Sequence, residues 1–317
     1  MKKFIIYIVV ILTVAFAFMQ FLSYKKKGQG LKIKPVIVKN VSVNKNEISE
    51  AEINFKKALK LKEQDIQKAI TAFEKIVTDF SEDEQASLAL SQIANLYKQQ
   101  GKVLEEKSAL DKLLNSYSEA EITNRLKPRL WDINIDMLFS NRQTKDSMIY
   151  EVLPNDSLYK IAGKYNTTVD LLMKSNNLVN SFIKPGMKLK IVTSIFTVEV
   201  SKSKNTLILR DDNGVVKVYS VATGKDNCSP VGTFKIVNRI VNPVWYKTGA
   251  VVFADSPENI LGTRWMGLSE PGYGIHGTTD PQSIGTQCTQ GCVRMRNSEV
   301  EELFLILPVG TEVVIKD

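Results

Sequence analysis

The chain has 317 residues, a hydrophobic fraction of 44% and a formal net charge of +8. This length and apolar content are enough to bury more than one core. Residues 1–47 contain nine lysines and one acid, Glu47, so the excess charge lies there and the rest of the chain is balanced. A balanced body argues against a nucleic-acid-binding protein, which concentrates Lys and Arg on a folded face.

The first segment is an uncharged apolar stretch, residues 4–24, which follows Met1-Lys2-Lys3. As a helix it is about 31 Å long, enough to cross a bilayer core. We predict a signal anchor at 1–24, rather than a buried core helix, followed by a basic linker at 25–47. Ala15-Phe16-Ala17 offers a cleavage site, but apolar residues continue to Leu22 and favour a retained anchor. The linker either lies against anionic lipid or is solvated.

Residues 48–143 have the apolar spacing of amphipathic helices. An internal repeat is visible, because six apolar positions recur 37 residues later: Ile66, Ala72, Phe73, Ile76, Val77 and Phe80 become Val103, Ala109, Leu110, Leu113, Leu114 and Tyr117. This resembles tetratricopeptide-type helical hairpins, whose period is nearer to about 34 residues. The resemblance implies a concave surface for a protein partner. The alternative is a helical spacer between the membrane and the rest of the chain.

Residues 148–193 contain a compact strand–helix–helix–strand pattern, at Tyr150–Val152, Ser157–Tyr165, Thr168–Ser175 and Lys188–Val192. The segment resembles a LysM domain in Tyr150-x-Val152, Asp156-x-Leu158-x-x-Ile161-Ala162, Tyr165-Asn166-x-Thr168, Asn176-Asn177-Leu178 and Ile183-x-Pro185-Gly186-x-x-Leu189. The resemblance implies a shallow groove for N-acetylglucosamine in glycan chains. Its candidate residues are Asn155, Asp156, Ser157, Leu158, Ile183, Pro185 and Gly186.

One LysM position departs from the family pattern, since Asn155 stands where the family has glycine. Asparagine tolerates a left-handed backbone better than most residues, so we expect the turn to form. The alternative is a folded LysM domain that binds no glycan.

Residues 195–317 are predicted to be mainly strands: Phe196–Val200, Thr206–Leu209, Val215–Val221, Gly232–Val237, Gly272–His276 and Thr311–Ile315. Asp211-Asp212-Asn213-Gly214 is typical of a hairpin turn. A helix is predicted after Cys292, with Asn297 as its N-cap. We expect a β-sandwich-like domain with a site at one edge.

The most informative residues here are the single histidine of the chain and a cysteine that follows it, in Ile275-His276-Gly277-Thr278 and Thr289-Gln290-Gly291-Cys292-Val293-Arg294-Met295. A thiol attacks as thiolate, so a nucleophilic cysteine needs a base such as imidazole nearby. Taken alone, both residues fit a buried core equally well.

The run from His276 to Met295 resembles the L,D-transpeptidase catalytic domain, with a His-Gly-Thr, a Ser-x-Gly and a Ser/Thr-His-Gly-Cys-Val/Ile-Arg motif. Ser229–Phe234 and Leu307–Val313 resemble the strand entry and closing strand of the same family. The resemblance implies that Cys292 is the nucleophile, His276 the general base and acid, and the Gly277 carbonyl the group that orients the imidazole. Backbone amides near Gly291 and Cys292 would form the oxyanion hole.

The family usually has a second histidine two residues before the cysteine, where this chain has Gln290. Glutamine forms hydrogen bonds but does not titrate. Because the resemblance gives proton transfer to His276, we expect activity to survive. Further candidates for substrate binding are Arg294, which alternatively forms a structural salt bridge, and Trp265 and Tyr273, which alternatively belong to the core. Ser283 and Gly285 belong to the motif and are expected to shape its loop.

Cys228 and Cys288 complete the set of three cysteines, and they either pair with each other or stay free. A zinc site formed by Cys228, Cys288, Cys292 and His276 is the competing interpretation. We predict no metal and no cofactor, because Cys292 already has a place in the catalytic motif.

These features predict a multidomain chain: an N-terminal transmembrane helix, an all-α helical-hairpin repeat region, a small βααβ LysM domain and a mainly-β L,D-transpeptidase catalytic domain at 195–317. The expected protein is held in the cytoplasmic membrane by a single pass, with its bulk in the periplasm or extracytoplasmic space. It would act on peptidoglycan stem peptides and glycan strands and form 3-3 cross-links through a cysteine thioester. The alternatives are an L,D-carboxypeptidase, a transferase for another amine, or a non-catalytic wall-binding scaffold.

Overall fold

A computed structural model describes residues 48–247 and 249–317. The predicted anchor at 1–24 and the basic linker at 25–47 lie outside the described residues. Within the described part, none of the helices is long and apolar enough to cross a membrane.

Five helices occupy the segment predicted to be helical: α1 Glu50–Leu61, α2 Ile66–Asp79, α3 Glu84–Gln99, α4 Val103–Ser116 and α5 Glu121–Phe139. Short polar side chains cap the first three, because Ser49, Asp65 and Asp83 each accept a hydrogen bond from a backbone amide of the first turn. Such bonds satisfy amides that a helix start leaves unpaired. The prediction of a helical region is confirmed.

The 37-residue repeat corresponds to two helices of equal length. Helices α2 and α4 have 14 residues each, and both are followed by an aromatic residue with nearly the same backbone angles: φ −130° and ψ 43° at Phe80, φ −136° and ψ 47° at Tyr117. The Tyr117 hydroxyl donates to the Ser81 carbonyl at 2.9 Å and joins the two copies. The likeness to tetratricopeptide hairpins itself remains a prediction.

A buried apolar position of the first copy is charged in the second. Where α2 has Ala69, α4 has Glu106, which is only 2% exposed. Its carboxylate accepts hydrogen bonds from Nε and Nη2 of Arg129 in α5, at 2.7 and 2.9 Å. A buried carboxylate needs such a bidentate partner, so this pair fixes α5 against α4.

The next module has the predicted order of strand, helix, helix, strand: β1 Ser147–Glu151, α6 Leu158–Lys164, α7 Val169–Ser175 and β2 Lys188–Val192. The two strands pair antiparallel, with Tyr150 opposite Leu189. Ser157 and Thr168 cap the helices by accepting from the amides of Lys160 and Leu171. A small core that includes Val152, Ile161, Leu172 and Ile191 fills the space between them.

The C-terminal region consists of twelve strands and one helix: β3 Thr197–Ser201, β4 Thr206–Asp211, β5 Gly214–Ser220, β6 Thr223–Gly224, β7 Gly232–Val241, β8 Trp245–Lys247, β9 Ala250–Val252, β10 Arg264–Leu268, β11 Gly274–His276, β12 Gln287–Thr289, β13 Val293–Arg294, α8 Asn297–Ile306 and β14 Glu312–Lys316. Eight strands form one sheet in the order β13-β11-β10-β7-β14-β3-β4-β5. The prediction of a mainly-β region is confirmed.

Strand β7 connects two halves of this sheet. Its first four residues pair with β14, and Ile236–Val241 pair with β10. Residues from both halves, such as Leu209 on one side and Met266 on the other, are buried in one hydrophobic cluster. One core between two sheet halves is the packing that a sandwich requires.

Each of the six predicted strands has a counterpart, and the β4–β5 hairpin turns at Asp212-Asn213 as expected. Six further strands of two to five residues were not predicted: β6, β8, β9, β10, β12 and β13. Segments this short show too little alternation for a periodic signal.

The predicted N-cap of α8 is wrong. Asn297 is the first helical residue, and Arg296 stands at the cap position without a capping side-chain bond. The Asn297 side-chain oxygen instead accepts from the amides of Thr278 and Thr263, at 2.9 and 3.3 Å. The oxygen that would accept from a helix amide in an N-cap is therefore already bound by two loop amides.

The three folded segments share a core. Ile135 of α5, Leu171 of α7 and Val192 of β2 are buried in the same cluster as the strands of the C-terminal region. Residues from Ser49 to Asp317 form one compact unit. The predicted boundaries at 143, 148, 193 and 195 remain predictions about sequence modules, since hydrophobic packing crosses them.

Polar contacts reinforce these junctions. Lys190 of β2 is 2% exposed, and its Nζ donates to the carbonyls of Met137 and Ser140 at the end of α5, at 2.7 and 2.8 Å. The Thr168 hydroxyl donates to the Leu305 carbonyl of α8. Arg239 of β7 reaches both Asp170, at 3.0 Å, and the Phe304 carbonyl.

Replacing Lys190 tests the junction between α5 and β2. In Lys190→Met the two carbonyls lose their donor, so we expect the free energy of unfolding to fall by about 1–3 kcal/mol. Urea unfolding of the full chain measures this. The matched control is Lys188→Met, an exposed residue of the same strand, which should change stability by less than about 0.5 kcal/mol. Equal effects of the two variants would contradict the assigned contact.

Candidate active site

The cysteine of the motif lies at the end of the sheet, immediately before edge strand β13. Strand β13 pairs parallel with β11, so that Val293 lies opposite Ile275 and Arg294 opposite His276. This pairing brings the loop that carries Cys292 next to the strand that carries His276. The half-buried Cys292 thiol donates to the Gly272 carbonyl at 3.7 Å.

Burial raises the pKa of the Cys292 thiol, while the backbone amide of Gly274 and the charge of Arg294 act in the opposite direction. The sulfur thus lies between a carbonyl that accepts its proton and an amide that stabilises a thiolate. The resting thiol is protonated near neutral pH.

His276 is the last residue of β11 and is 2% exposed. Its Nδ1 lies 2.7 Å from the carbonyl oxygen of Gly277. Because a carbonyl only accepts hydrogen bonds, we assign the proton to Nδ1, which leaves Nε2 as the basic nitrogen. Burial lowers the pKa of His276 to about 4; the Gly277 hydrogen bond opposes this shift and the Arg294 charge adds to it. The imidazole is neutral near pH 7 and is able to accept a proton.

Trp265 holds one face of this imidazole. The two rings are stacked, with centroids 5.9 Å apart and an interplanar angle of 20°. The indole Nε1 donates to Oδ1 of Asn238 at 3.1 Å, which fixes the ring. A Cβ on Gly274 would lie 2.6 Å from the indole, so only glycine fits opposite it. Asn238 was not predicted as a site residue, and the sequence contains no motif that would have identified it.

Thr289 holds the loop before the cysteine. Its buried hydroxyl donates to the Cys292 carbonyl at 2.7 Å and accepts from the Gly291 amide at 3.1 Å. Gly291 has φ +115°, and a Cβ there would lie 2.4 Å from Tyr273. Thr289 was missed as a site residue although it belongs to the motif that identified Cys292.

Of the amides near Gly291 and Cys292 that were predicted to form the oxyanion hole, that of Gly291 is already bound to Thr289. The next amide, that of Cys292, has no acceptor in the described part of the chain. This amide is therefore free to donate to another acceptor.

Arg294 is largely buried and has several neighbours. Its Nη1 donates to Ser283 Oγ at 3.0 Å and lies 3.9 Å from an Asp280 oxygen and from the Cys288 sulfur. Its Nε is buried without a partner among the described residues. Arg294 therefore has a structural contact and also retains capacity for another acceptor.

An open groove of about 960 Å³ runs past these groups. It brings together six predicted site residues: His276, Cys292, Gln290, Arg294, Tyr273 and Trp265. Ser283 and Gly285 do not line it. Ser283 instead holds Arg294, and the Gly285 amide donates to the Val221 carbonyl at 3.0 Å.

One wall of the groove was not predicted. It comes from the segment around the β8–β9 hairpin: Ile240, Pro243, Val244, Trp245, Tyr246, Ile260 and Leu261. Buried Asn259 anchors this wall, since its amide nitrogen donates to the Pro243 and Phe253 carbonyls at 2.8 and 3.1 Å. The Asn242-Pro243 turn is the sequence feature that could have indicated this hairpin. The two strands that follow have three residues each, which is too short for a periodic pattern.

The three cysteines are all free. The Cys228 sulfur lies 3.9 Å from the Thr289 carbonyl, whereas that of Cys288 faces Arg294. Cys228 and Cys288 therefore do not pair in this structure. Across residues 48–247 and 249–317, His, Cys, Asp and Glu side chains nowhere form a group of three placed to hold a metal ion. Within these residues, the four side chains of the competing zinc site do not come together as ligands.

The two segments predicted to form the glycan groove are adjacent, because the Gly186 amide donates to the Val152 carbonyl at 2.8 Å. Asn155 has φ +68°, the left-handed backbone that its turn requires. Asp156 shapes the loop by accepting from the Tyr150 hydroxyl at 2.7 Å and from the Leu153 amide at 2.8 Å.

Among the other glycan candidates, Ser157, Pro185 and Gly186 are exposed and Ile183 is half-buried. Leu158 is 2% exposed and packs inside the small core. Its predicted contact with glycan is therefore corrected: Leu158 supports the loop from within.

Family profiles match two parts of the chain. The family profile of the L,D-transpeptidase catalytic domain matches residues 195–315, and that of the LysM domain matches residues 150–192. The LysM prediction is confirmed.

Relatives of known sequence match the same region. The putative L,D-transpeptidase YqjB of Bacillus subtilis is 44% identical over 124 residues, which cover 37% of this chain and 69% of the relative. The putative L,D-transpeptidase YkuD of the same organism is 34% identical over 175 residues, which cover 53% of this chain and 98% of the relative. An L,D-transpeptidase structure from Mycobacterium tuberculosis is 13% identical, with a TM-score of 0.35, and the match covers 42% of this chain and 64% of that one. This score is too low to support a structural argument.

Fold and site define a LysM-bearing protein whose mainly-β domain holds a thiol and a buried imidazole in one groove. The chain belongs to the L,D-transpeptidase family.

The depressed pKa of His276 predicts a pH dependence of stability. The folded pKa is about 4 and the ordinary value is 6.5. Between these values the unfolded state binds more protons, so the free energy of unfolding decreases as the pH falls from 6.5 towards 4. From near pH 7.5 to near pH 5 the imidazole contributes a loss of about 2 kcal/mol.

Urea unfolding of the full chain and of His276→Gln at both pH values measures this contribution. The variant should lack it, while losses that come from carboxylates remain in both proteins. Identical pH dependence would mean that His276 titrates normally in the folded state.

Proposed function

We propose that the protein is a peptidoglycan L,D-transpeptidase that forms 3-3 cross-links through a thioester on Cys292. The single observation that carries the proposal is that Cys292 and the neutral, buried His276 line one groove in a chain of this family. The donor is a tetrapeptide stem, and the acceptor is an amine on a second stem. No step requires a metal or an organic cofactor.

The reaction begins with a protonated thiol. The Cys292 thiol exchanges its Gly272 acceptor for Nε2 of His276, which takes the proton as the sulfur attacks the carbonyl of the third residue of the donor. The Cys292 amide donates to the oxyanion that develops. The imidazolium then protonates the nitrogen of the leaving D-alanine as the carbon–nitrogen bond breaks.

The second half-reaction mirrors the first. An amine of the acceptor stem attacks the thioester, His276 accepts a proton from the amine, and the sulfur leaves and is protonated again. Arg294 provides a guanidinium for a stem carboxylate. Tyr273, Trp265 and Gln290 line the path of the stem, and glutamine replaces a histidine whose titration this scheme does not use.

The remaining segments place the enzyme at the wall. The LysM domain holds glycan strands through Asn155, Asp156, Ser157, Ile183, Pro185 and Gly186. We infer that residues 1–24 anchor the chain in the cytoplasmic membrane, with the bulk outside the cytoplasm. The helical region serves as a tetratricopeptide-like partner surface or as a spacer.

The catalytic proposal is tested by incubating the full chain with tetrapeptide muropeptides and analysing the products by mass spectrometry. We expect cross-linked 3-3 dimers and free D-alanine, and a loss of at least about 1000-fold in Cys292→Ala, because the nucleophile is removed. Cys288→Ala is the matched control and should keep most of the activity. Tripeptide without dimers would identify a carboxypeptidase, and no turnover would favour a wall-binding scaffold.

The wall-binding proposal is tested by co-sedimentation of the full chain with purified peptidoglycan. In Asp156→Ala the loop loses the two hydrogen bonds that the carboxylate accepts, so we expect roughly tenfold weaker binding, equivalent to about 1.4 kcal/mol. Turnover of soluble muropeptides should be unchanged. The control is Glu151→Ala, an exposed residue of β1. Unchanged sedimentation in Asp156→Ala would show that this loop does not bind glycan.

A further inference from the structure

Asn297 contacts the backbone that follows the catalytic-site histidine. Its Oδ1 accepts from the Thr278 amide at 2.9 Å and from the Thr263 amide at 3.3 Å. Both neighbours are N–H donors, so the side-chain atom facing them must be the oxygen. One side chain at the start of α8 thereby joins the loop before β10 to the loop after β11.

The Thr278 amide belongs to the same peptide unit as the Gly277 carbonyl. A peptide unit is planar, so fixing its N–H also fixes the direction of its C=O. The Asn297 oxygen holds the N–H end, and the C=O end accepts from Nδ1 of His276 at 2.7 Å. The chain of contacts therefore runs from Asn297 through one peptide plane to the imidazole.

Close packing leaves this peptide little freedom. A Cβ on Gly277 or on Gly262 would lie 2.2 Å from the Asn297 oxygen, so both positions must be glycine for the side chain to fit. Thr278 is 4% exposed, and the Gly277 amide donates to the Arg264 carbonyl at 3.1 Å. Without Asn297 the buried Thr278 amide would lose its acceptor, and the plane of the peptide would no longer be set.

We propose that Asn297 is a positioning residue for His276: by orienting the Gly277–Thr278 peptide, it keeps the proton on Nδ1 and leaves Nε2 basic. Its effect on the tautomer stands on geometry alone. Its effect on catalysis rests on the proposed function. Asn297 does not act as a helix cap. Its oxygen accepts from the Thr278 and Thr263 amides, and neither of these belongs to α8.

The test uses the full chain and three variants. Asn297→Ala removes the acceptor, Asn297→Asp keeps an oxygen in the same place, and Arg296→Ala changes the neighbouring cap residue, whose side chain pairs with Glu299. Because the chain has one histidine, nitrogen-15 NMR of histidine-labelled protein reports the tautomer of His276 without assignment.

We expect the wild type, Asn297→Asp and Arg296→Ala to show one tautomer with the proton on Nδ1. Asn297→Ala should show a mixture, a kcat lower by roughly 10–100-fold and a KM within about twofold of wild type, because the base is misoriented while the groove is intact. Asn297→Asp should recover most of the lost kcat.

An unchanged tautomer in folded Asn297→Ala would overturn the proposal, as would an equal loss in Asn297→Asp. If Asn297→Ala does not fold, Asn297→Ser takes its place, since its hydroxyl is too short to reach both amides; failure of both to fold would make the role purely structural and would also overturn it. If the wild type shows no transpeptidation, the tautomer measurement still decides the matter, so the two failures are distinguishable.

Discussion

Strand β7 carries the contacts on which the rest of the C-terminal region depends. It pairs with β14 through its first residues and with β10 through the others, so it stands between β10, β11 and β13 on one side of the strand order and β14, β3, β4 and β5 on the other. Three consecutive residues near its end have different tasks. Asn238 holds the indole that stacks on His276, Arg239 binds α8 and the LysM helix, and Ile240 lines the groove. Because neighbouring residues of a strand point to opposite faces, Arg239 faces away from the other two.

The electrostatics of the site follow from burial. A buried imidazole with a pKa near 4 and a thiol whose pKa is raised form a neutral resting pair. Such a pair differs from the thiolate–imidazolium pair that strongly activated cysteines form. In our proposal the reactive sulfur is created only when substrate arrives, and the Gly274 and Cys292 amides stabilise negative charge at that moment.

Much of the fold was readable from the sequence where local signals are strong. The strand–helix–helix–strand order of the LysM domain was predicted from its sequence pattern, and the 37-residue repeat fell on two helices of equal length. The pair His276 and Cys292 came from a motif and a family resemblance, and the structure places both in one groove.

The misses have physical causes. Asparagine is a residue type preferred at helix N-caps, but the Asn297 oxygen is bound by two amides that are distant in sequence. Gly291 lies beside the nucleophile, yet the hydroxyl of Thr289 occupies its amide. Leu158 lies within the predicted binding loop, but its side chain belongs to the core. The errors at Asn297 and Leu158 arise from tertiary contacts that no local pattern encodes, whereas the error at Gly291 arises from a side chain two residues earlier in the same loop.

The common core of the folded segments bears on how transferable the modules are. The strands that support the groove share their core with Leu171 and Val192 of the LysM domain and with Ile135 of α5. Excising the LysM domain would expose apolar surface on its neighbours and strip Lys190 from the end of α5. The LysM domain of this chain is thus not an independent folding unit: a transplant to another enzyme would need new apolar partners for Leu171 and Val192.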